Sequence, residues 1–195
     1  VRHGKQLKFS STTMFMADKK EIVDEAFPGD IIGIPDNKNF KIGDTLTAGE
    51  AMNYTGIPSF SPEHFKYIEN ADPMKAKQLS KGIEQLMDEG VAQLFTMETN
   101  GRKVIGTVGS LQFEVIQHRL LHEYNASCRY EPVAVHKACW IAGEEKDIKD
   151  FRKKKARSMA FDKEGRHVFL ADSPFALQLA QQDFPNLQFH FKSEF

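Results

Sequence analysis

The side chains best suited to chemistry do not converge. His118 and His122 stand four residues apart with Glu114 one turn earlier, so a helix here would put all three on one face, as zinc-binding helices do. A hydrolytic zinc helix needs Glu directly after the first His. This sequence has Arg119 there, a fixed cation that opposes a metal, and no third ligand is evident. Asn37-Lys38-Asn39-Phe40 begins like a guanine-reading Asn-Lys-x-Asp, but Phe40 replaces the carboxylate that would accept from the base. Gly106-Thr107-Val108-Gly109 lacks the lysine and spacing of a loop whose amides cradle phosphates. Trp140 has no cofactor motif beside it and reads as a core or interface filler. The expectation is a chain with no catalytic residue, no cofactor and no metal of its own.

One cluster of charge stands out. Residues 146–167 hold nine Lys or Arg against four Asp or Glu, locally +5 in a chain whose net charge is -1. If residues 146–157 are helical, Lys146, Lys149, Lys153 and Arg157 recur at three and four and form one cationic stripe. Ile148 and Phe151 mark a narrow buried edge, and Arg152, Lys154 and Lys155 widen the positive surface. Such a surface neutralises phosphates and releases counterions. Lys146, Lys149, Arg152, Lys153 and Arg157 are therefore the candidate RNA contacts, and a solvated helix face that keeps the protein soluble is the competing reading.

The elements that would position these groups follow from composition and periodicity. With 195 residues, 41% hydrophobic and 27% charged, the chain has ordinary globular composition and room for one large domain or two small ones. Its longest apolar runs, such as Ile31-Ile32-Gly33-Ile34, are far too short to span a membrane. Cys128 and Cys139 suit reduced thiols in a cytoplasmic protein. Neither an initiator Met nor a charged-then-apolar leader opens the chain at Val1-Arg2-His3-Gly4-Lys5, and the expectation is a fragment of a longer protein.

Residues 1–53 read as short strands and dense turns, among them Phe27-Pro28-Gly29-Asp30 and Ile42-Gly43-Asp44, hence part of a small β-barrel. Residues 54–62 form a Gly/Pro connector. A strand at Phe65–Glu69 then precedes a helix capped by Asp72-Pro73, with an apolar stripe Ala76, Leu79, Ile83, Leu86, Met87 and a stop at Gly90. Two strands flank Asn100-Gly101, a hairpin signal. Ser110 is the expected cap of a second helix with a wide apolar face of Leu111, Phe113, Val115, Ile116 and Leu120, and Cys128–Ile141 is a fourth extended run. Strand, helix, strand, strand, helix, strand is the ferredoxin-like sandwich. The tail adds a charged helix, a hairpin at Asp162-Lys163-Glu164-Gly165, a helix from Ser173-Pro174 and a strand alternating Leu187, Phe189 and Phe191; no internal repeat is visible. The expected fold class is α+β, a partial small β-barrel over 1–53 followed by a ferredoxin-like α/β sandwich with a C-terminal α/β extension over 57–195.

Ala26-Phe27-Pro28-Gly29-Asp30-Ile31-Ile32-Gly33-Ile34 followed by Ile42-Gly43-Asp44-Thr45-Leu46 resembles the second-domain barrel of translational GTPases. Gly56-Ile57-Pro58-Ser59-Phe60-Ser61-Pro62-Glu63, Lys77-Gln78-Leu79-Ser80-Lys81-Gly82-Ile83-Glu84-Gln85-Leu86, and Val108-Gly109-Ser110-Leu111-Gln112-Phe113-Glu114-Val115 resemble the bacterial peptide chain release factor 3 family. So does Phe184-Pro185-Asn186-Leu187-Gln188-Phe189-His190. The resemblance implies a C-terminal fragment without its GTPase domain, with GTP and Mg held in that missing domain. It further implies partners in the ribosome, in class I release factors met there, and in the factor's own GTPase domain. Two other readings remain: a fragment of an elongation factor G type GTPase, or a small ferredoxin-like enzyme of acylphosphatase type. The latter needs an anion-holding loop with an Arg after the first strand, where Asn70-Ala71-Asp72 offers an acid.

Overall fold

A computed structural model describes residues 12–16, 19–23, 25–35, 44–50, 52 and 61–192, and the chain divides into two compact units, Val1–Ile57 and Pro58–Phe195. In the first unit, β1 (Thr12–Met16) pairs antiparallel with β2 (Lys19–Val23) and β3 (Ile32–Gly33). The turn anticipated at Phe27–Asp30 is present: Asp30 N donates to Phe27 O at 3.0 Å, and Gly29, at φ 101, follows Pro28 as a type II turn requires. The expectations placed on residues 1–11, Asn37-Lys38-Asn39-Phe40, Ile42-Gly43 and most of the 54–62 connector lie outside the described residues.

The second unit begins with β4 (His64–Asn70), α1 (Ala76–Asp88), β5 (Gln93–Met97), β6 (Lys103–Thr107), α2 (Leu111–Tyr124) and β7 (Cys128–Pro132). Asp72 Oδ1 accepts from Met74 N at 3.0 Å, which caps a short 3-10 turn ahead of α1. Gly90, at φ 70, ends that helix. The cap expected from Ser110 is absent, because Ser110 already has helical dihedrals. The side chain of Gln112 reaches back instead, its Oε1 accepting from Val108 N and Gly109 N at 2.9 and 3.1 Å.

The extended run expected over Cys128–Ile141 is two strands. Pro132 has no N–H to continue the ladder, Val135 N turns back to Val133 O at 3.1 Å, and His136 N already bonds Ala171 O at 2.7 Å. After this break come β8 (Lys137–Ala142), α3 (Glu145–Lys154), β9 (Met159–Phe161), β10 (His167–Ala171), α4 (Pro174–Asp183) and β11 (Gln188–His190). The C-terminal extension therefore repeats the order strand, helix, strand, strand, helix, strand.

All eight strands join one antiparallel sheet in the order β11-β8-β10-β9-β5-β6-β4-β7. Each half has its fourth strand beside its first, then its third, then its second. The halves meet where the two second strands, β5 and β9, pair Thr96 with Phe161 and Met97 with Ala160. A topological repeat thus exists without a sequence repeat.

The sheet is buried on both faces, and strand residues alternate strictly between them. Ile68, Leu94 and Ile105 face α1 and α2 with Leu79, Ile83, Leu86, Phe113, Ile116 and Leu120, the six positions that the helical periodicity selects for the core. Ala76, Leu111 and Val115, which the same patterning placed on apolar faces, are exposed. In the second half Cys139, Ile141 and Phe169 face α3 and α4 with Phe151, Ala180 and Phe184.

The remaining faces of both halves share a third core of Phe65, Phe95, Met97, Val104, Ala138, Trp140, Ala160, Val168 and Leu170. β5 and β8 are three strand spacings apart, about 14 Å in a flat sheet. The rings of Phe95 and Trp140 nevertheless lie 5.9 Å apart, so the sheet curls over on itself and encloses that core. No helix among the described residues is long and apolar enough to cross a membrane.

Candidate nucleic-acid interface

α3 carries the cationic cluster. Its narrow apolar edge is Ile148 and Phe151, and the fully buried Phe151 ring lies edge-on to Phe169 at 5.2 Å and Phe184 at 4.9 Å. That anchorage turns Lys146, Lys149 and Lys153 outward, where all three are exposed. The helix stops at Lys154. A 3-10 turn over Ala156–Ser158 carries Arg157, exposed like the others but beyond the helix end, so the predicted stripe bends at its last member. Lys149 Nζ lies 2.9 Å from Glu145 in an open pair of small energetic consequence.

The charges along α3 run from acid to base. Glu145 and Asp147 occupy the first turn, and Arg152, Lys153 and Lys154 the last, which complements the helix dipole at both ends. This accounts structurally for part of the local +5. Further cations in the segment have partners on the protein itself. Lys154 stands over the Phe184 ring, 4.9 Å from its centroid. Lys163 pairs with Asp88 on the first half's α1. Arg166 Nε bonds Asp162 Oδ2 at 2.8 Å.

Arg152, expected to widen the surface, instead turns across the sheet. Its Nε lies 3.1 Å from each oxygen of Glu98 and its Nη2 also reaches Glu98 Oε1, with both side chains mostly covered at 30% and 25% exposure. The Glu98 hydrogen bond raises the pKa of Arg152, which keeps its charge fixed. The outward set is therefore Lys146, Lys149, Lys153 and Arg157, with Arg152 beneath it.

Sequence reasoning passed over the acids that receive these cations. Asp162 is the hub of one group: its carboxylate accepts from Trp140 Nε1, Arg166 Nε, Glu164 N and Arg166 N, at 2.8, 2.8, 3.0 and 2.8 Å. Its side chain is 6% exposed, and the charge is met by four donors. Glu98 lies 54 residues from its partner, so no local spacing marks it.

His118 and His122 are exposed on α2 with ring centroids 4.2 Å apart, and Arg119 between them is held by Glu89 and Glu123. Among the described residues no group of three or more His, Cys, Asp or Glu is arranged to hold a metal. Cys128 and Cys139 are free and buried. Burial raises both thiols, that of Cys139 to about 12, away from the thiolate range where they would react.

Comparison with known families adds two matches. "Class II release factor RF3, C-terminal domain" matches residues 54–181, and "Elongation factor G domain 2" matches residues 1–49. A crystal structure of a protein from Thermus thermophilus resembles the fold with a TM-score of 0.57 at 17% identity, over 71% of this chain and 23% of that one. The chain thus spans about a quarter of that protein's length, and at this identity the likeness concerns the fold.

Proposed function

The chain belongs to the class II release factor family through its C-terminal domain, and on that premise we propose that it is the ribosome-docking and coupling portion of a translation termination factor. The factor as a whole promotes release and recycling of class I release factors in a GTP-dependent way. GTP and Mg are held by a separate GTPase domain, and this chain contributes no nucleotide chemistry.

The observation that carries the reading is the outward row Lys146, Lys149, Lys153 and Arg157 on a body whose two halves share one sheet and one core. Coupling a nucleotide state to a large partner requires a part that moves without deforming, and a charged face that grips the partner independently of sequence. The curled sheet supplies the first and α3 the second. The grip is to ribosomal RNA or to acidic ribosomal-protein surface.

Replacing all four residues by Gln keeps helix propensity while removing the charges. In the full factor, ribosome affinity should fall and its dependence on log salt should flatten in proportion to the number of phosphates no longer neutralised, with GTP binding unchanged. Affinity and salt slope both at wild-type values would overturn this reading.

A further inference from the structure

We propose that Arg152 is a positioning residue for the cationic face: clamped on Glu98 across the seam between the two halves, it fixes the roll of α3 and hence where Lys146, Lys149 and Lys153 point. The inference rests on the proposed docking role and names the device that orients its surface.

α3 turns through roughly 100° per residue. On that wheel Lys146, Lys149 and Lys153 occupy one arc, Ile148 and Phe151 the opposite one, and position 152 the border between them. Within its own half the helix is pinned chiefly at Phe151, around which a helix on a smooth apolar bed can roll. Arg152 removes that freedom. One guanidinium edge, Nε and Nη2 together, engages the Glu98 carboxylate, with Nε 3.1 Å from each oxygen, so the fork resists rotation as well as translation.

Glu98 is itself immobilised. It directly follows β5, and its N–H donates to Met159 O at 2.9 Å, one step beyond the β5–β9 ladder. The clamp therefore references α3, an element of the second half, to the backbone of the first. Lys163 on Asp88 makes a second crossing from the β9–β10 turn to α1, but that contact lies outside α3 and leaves its roll untouched. The Arg152 guanidinium also stands 5.8 Å from the Phe161 ring centroid, which closes its other side.

Two substitutions in the full factor separate positioning from direct phosphate contact. Glu98→Gln leaves every cation in place and makes the surface more positive, so charge alone predicts tighter ribosome binding. Positioning predicts the opposite, a loss of at least about threefold with a flatter salt slope, because lysines turned away no longer neutralise phosphates. Arg152→Lys keeps the charge but not the fork. A direct phosphate contact would survive it, because Lys binds phosphate well as a point charge, whereas positioning predicts a loss like that of Glu98→Gln.

Amide hydrogen exchange supplies a readout independent of the ribosome. In either variant the amides of α3 should exchange faster while those of α4 keep wild-type rates, and unchanged exchange in α3 overturns the inference. If the four-Gln variant binds normally, the docking role fails. If that variant loses affinity while Glu98→Gln and Arg152→Lys bind at wild-type strength or better, the positioning role alone fails.

Discussion

The two halves of the 58–195 body have the same strand order and the same place for each helix, yet they are built from different materials. The first packs α1 on α2 mainly through aliphatic side chains with Phe113 and Tyr124 among them, and a Cβ on Gly82 would stand 2.7 Å from Leu120 Cδ2 and 2.8 Å from Tyr124 Cγ. The second fills the corresponding layer with the rings of Phe151, Phe169, Phe184 and Phe189, all gathered around Phe151. The cationic face is confined to the second half, on α3. Topology is thus held in common by the backbone hydrogen bonds and the alternation of the strands. Surface chemistry is free to differ, because the outward face of a helix takes no part in either.

The sharpest way to break the comparison is through the core that both halves share. Phe95 belongs to the first half, is fully buried, and touches Phe65 of its own half and Trp140 of the other, with ring centroids 6.2 and 5.9 Å away. Phe95→Ala should cost about 3–5 kcal/mol. Trp140 is the chain's single tryptophan and lies in the second half, so its fluorescence reports on the half that was not mutated. Denaturant unfolding followed by Trp140 emission and by helical circular dichroism should shift to the same lower midpoint. Retention of the wild-type emission midpoint while helical signal disappears early would show two separate folding units.

Much of the first half is legible in the sequence because its determinants are local. Leu79, Ile83 and Leu86 are read from helical period, and Asn100-Gly101 closes the β5–β6 hairpin with Gly101 at φ 68. One local signal of the second half is equally plain, Ser173, which caps α4 by accepting from Ala176 N at 3.2 Å. The second half hid its topology because Pro132 and the Val133–Val135 turn break a run that composition alone leaves continuous. The role of Arg152 was invisible for another reason. A charge pair 54 residues apart leaves no trace in spacing, so the sequence offers every cation of α3 equally to solvent, and tertiary geometry chooses which one turns inward.

A smaller effect sharpens the contrast between the two outer layers. Gly82 of α1 faces α2 at short range, and the nearest obstacles to an added methyl are a Leu120 methyl and the ring carbon that anchors Tyr124. Gly82→Ala gains helix propensity but forces those side chains apart. The net expectation is a loss of about 1–3 kcal/mol, read as a lowered denaturation midpoint with the emission maximum of folded Trp140 unchanged. A stabilised variant would show that the helix pair relaxes enough to admit the methyl.

The smallest effect concerns His167, the first residue of β10, where the second half borders the Arg152–Glu98 clamp. Its Nδ1 is buried without a hydrogen-bond partner, and its ring lies 5.1 Å from that of Phe161. Burial pushes its pKa below the usual 6.5, and the positive charge of Arg152 adds to this, while Glu98 pulls the other way. Between the depressed folded value and 6.5 the unfolded chain binds a proton that the folded chain refuses. Stability is therefore undiminished by this group above 6.5 and falls as pH drops through that window. One group can contribute at most about 1.4 kcal/mol per pH unit. His167→Gln removes the titration, so the difference in unfolding free energy between wild type and variant should shrink or reverse from pH about 7 to about 5, because wild type alone loses this contribution. Adding Glu98→Gln deletes the charge that opposes the depression, so the His167 contribution should then steepen. Parallel pH profiles for wild type and His167→Gln would mean that His167 takes up its proton in the folded protein as readily as in the unfolded chain.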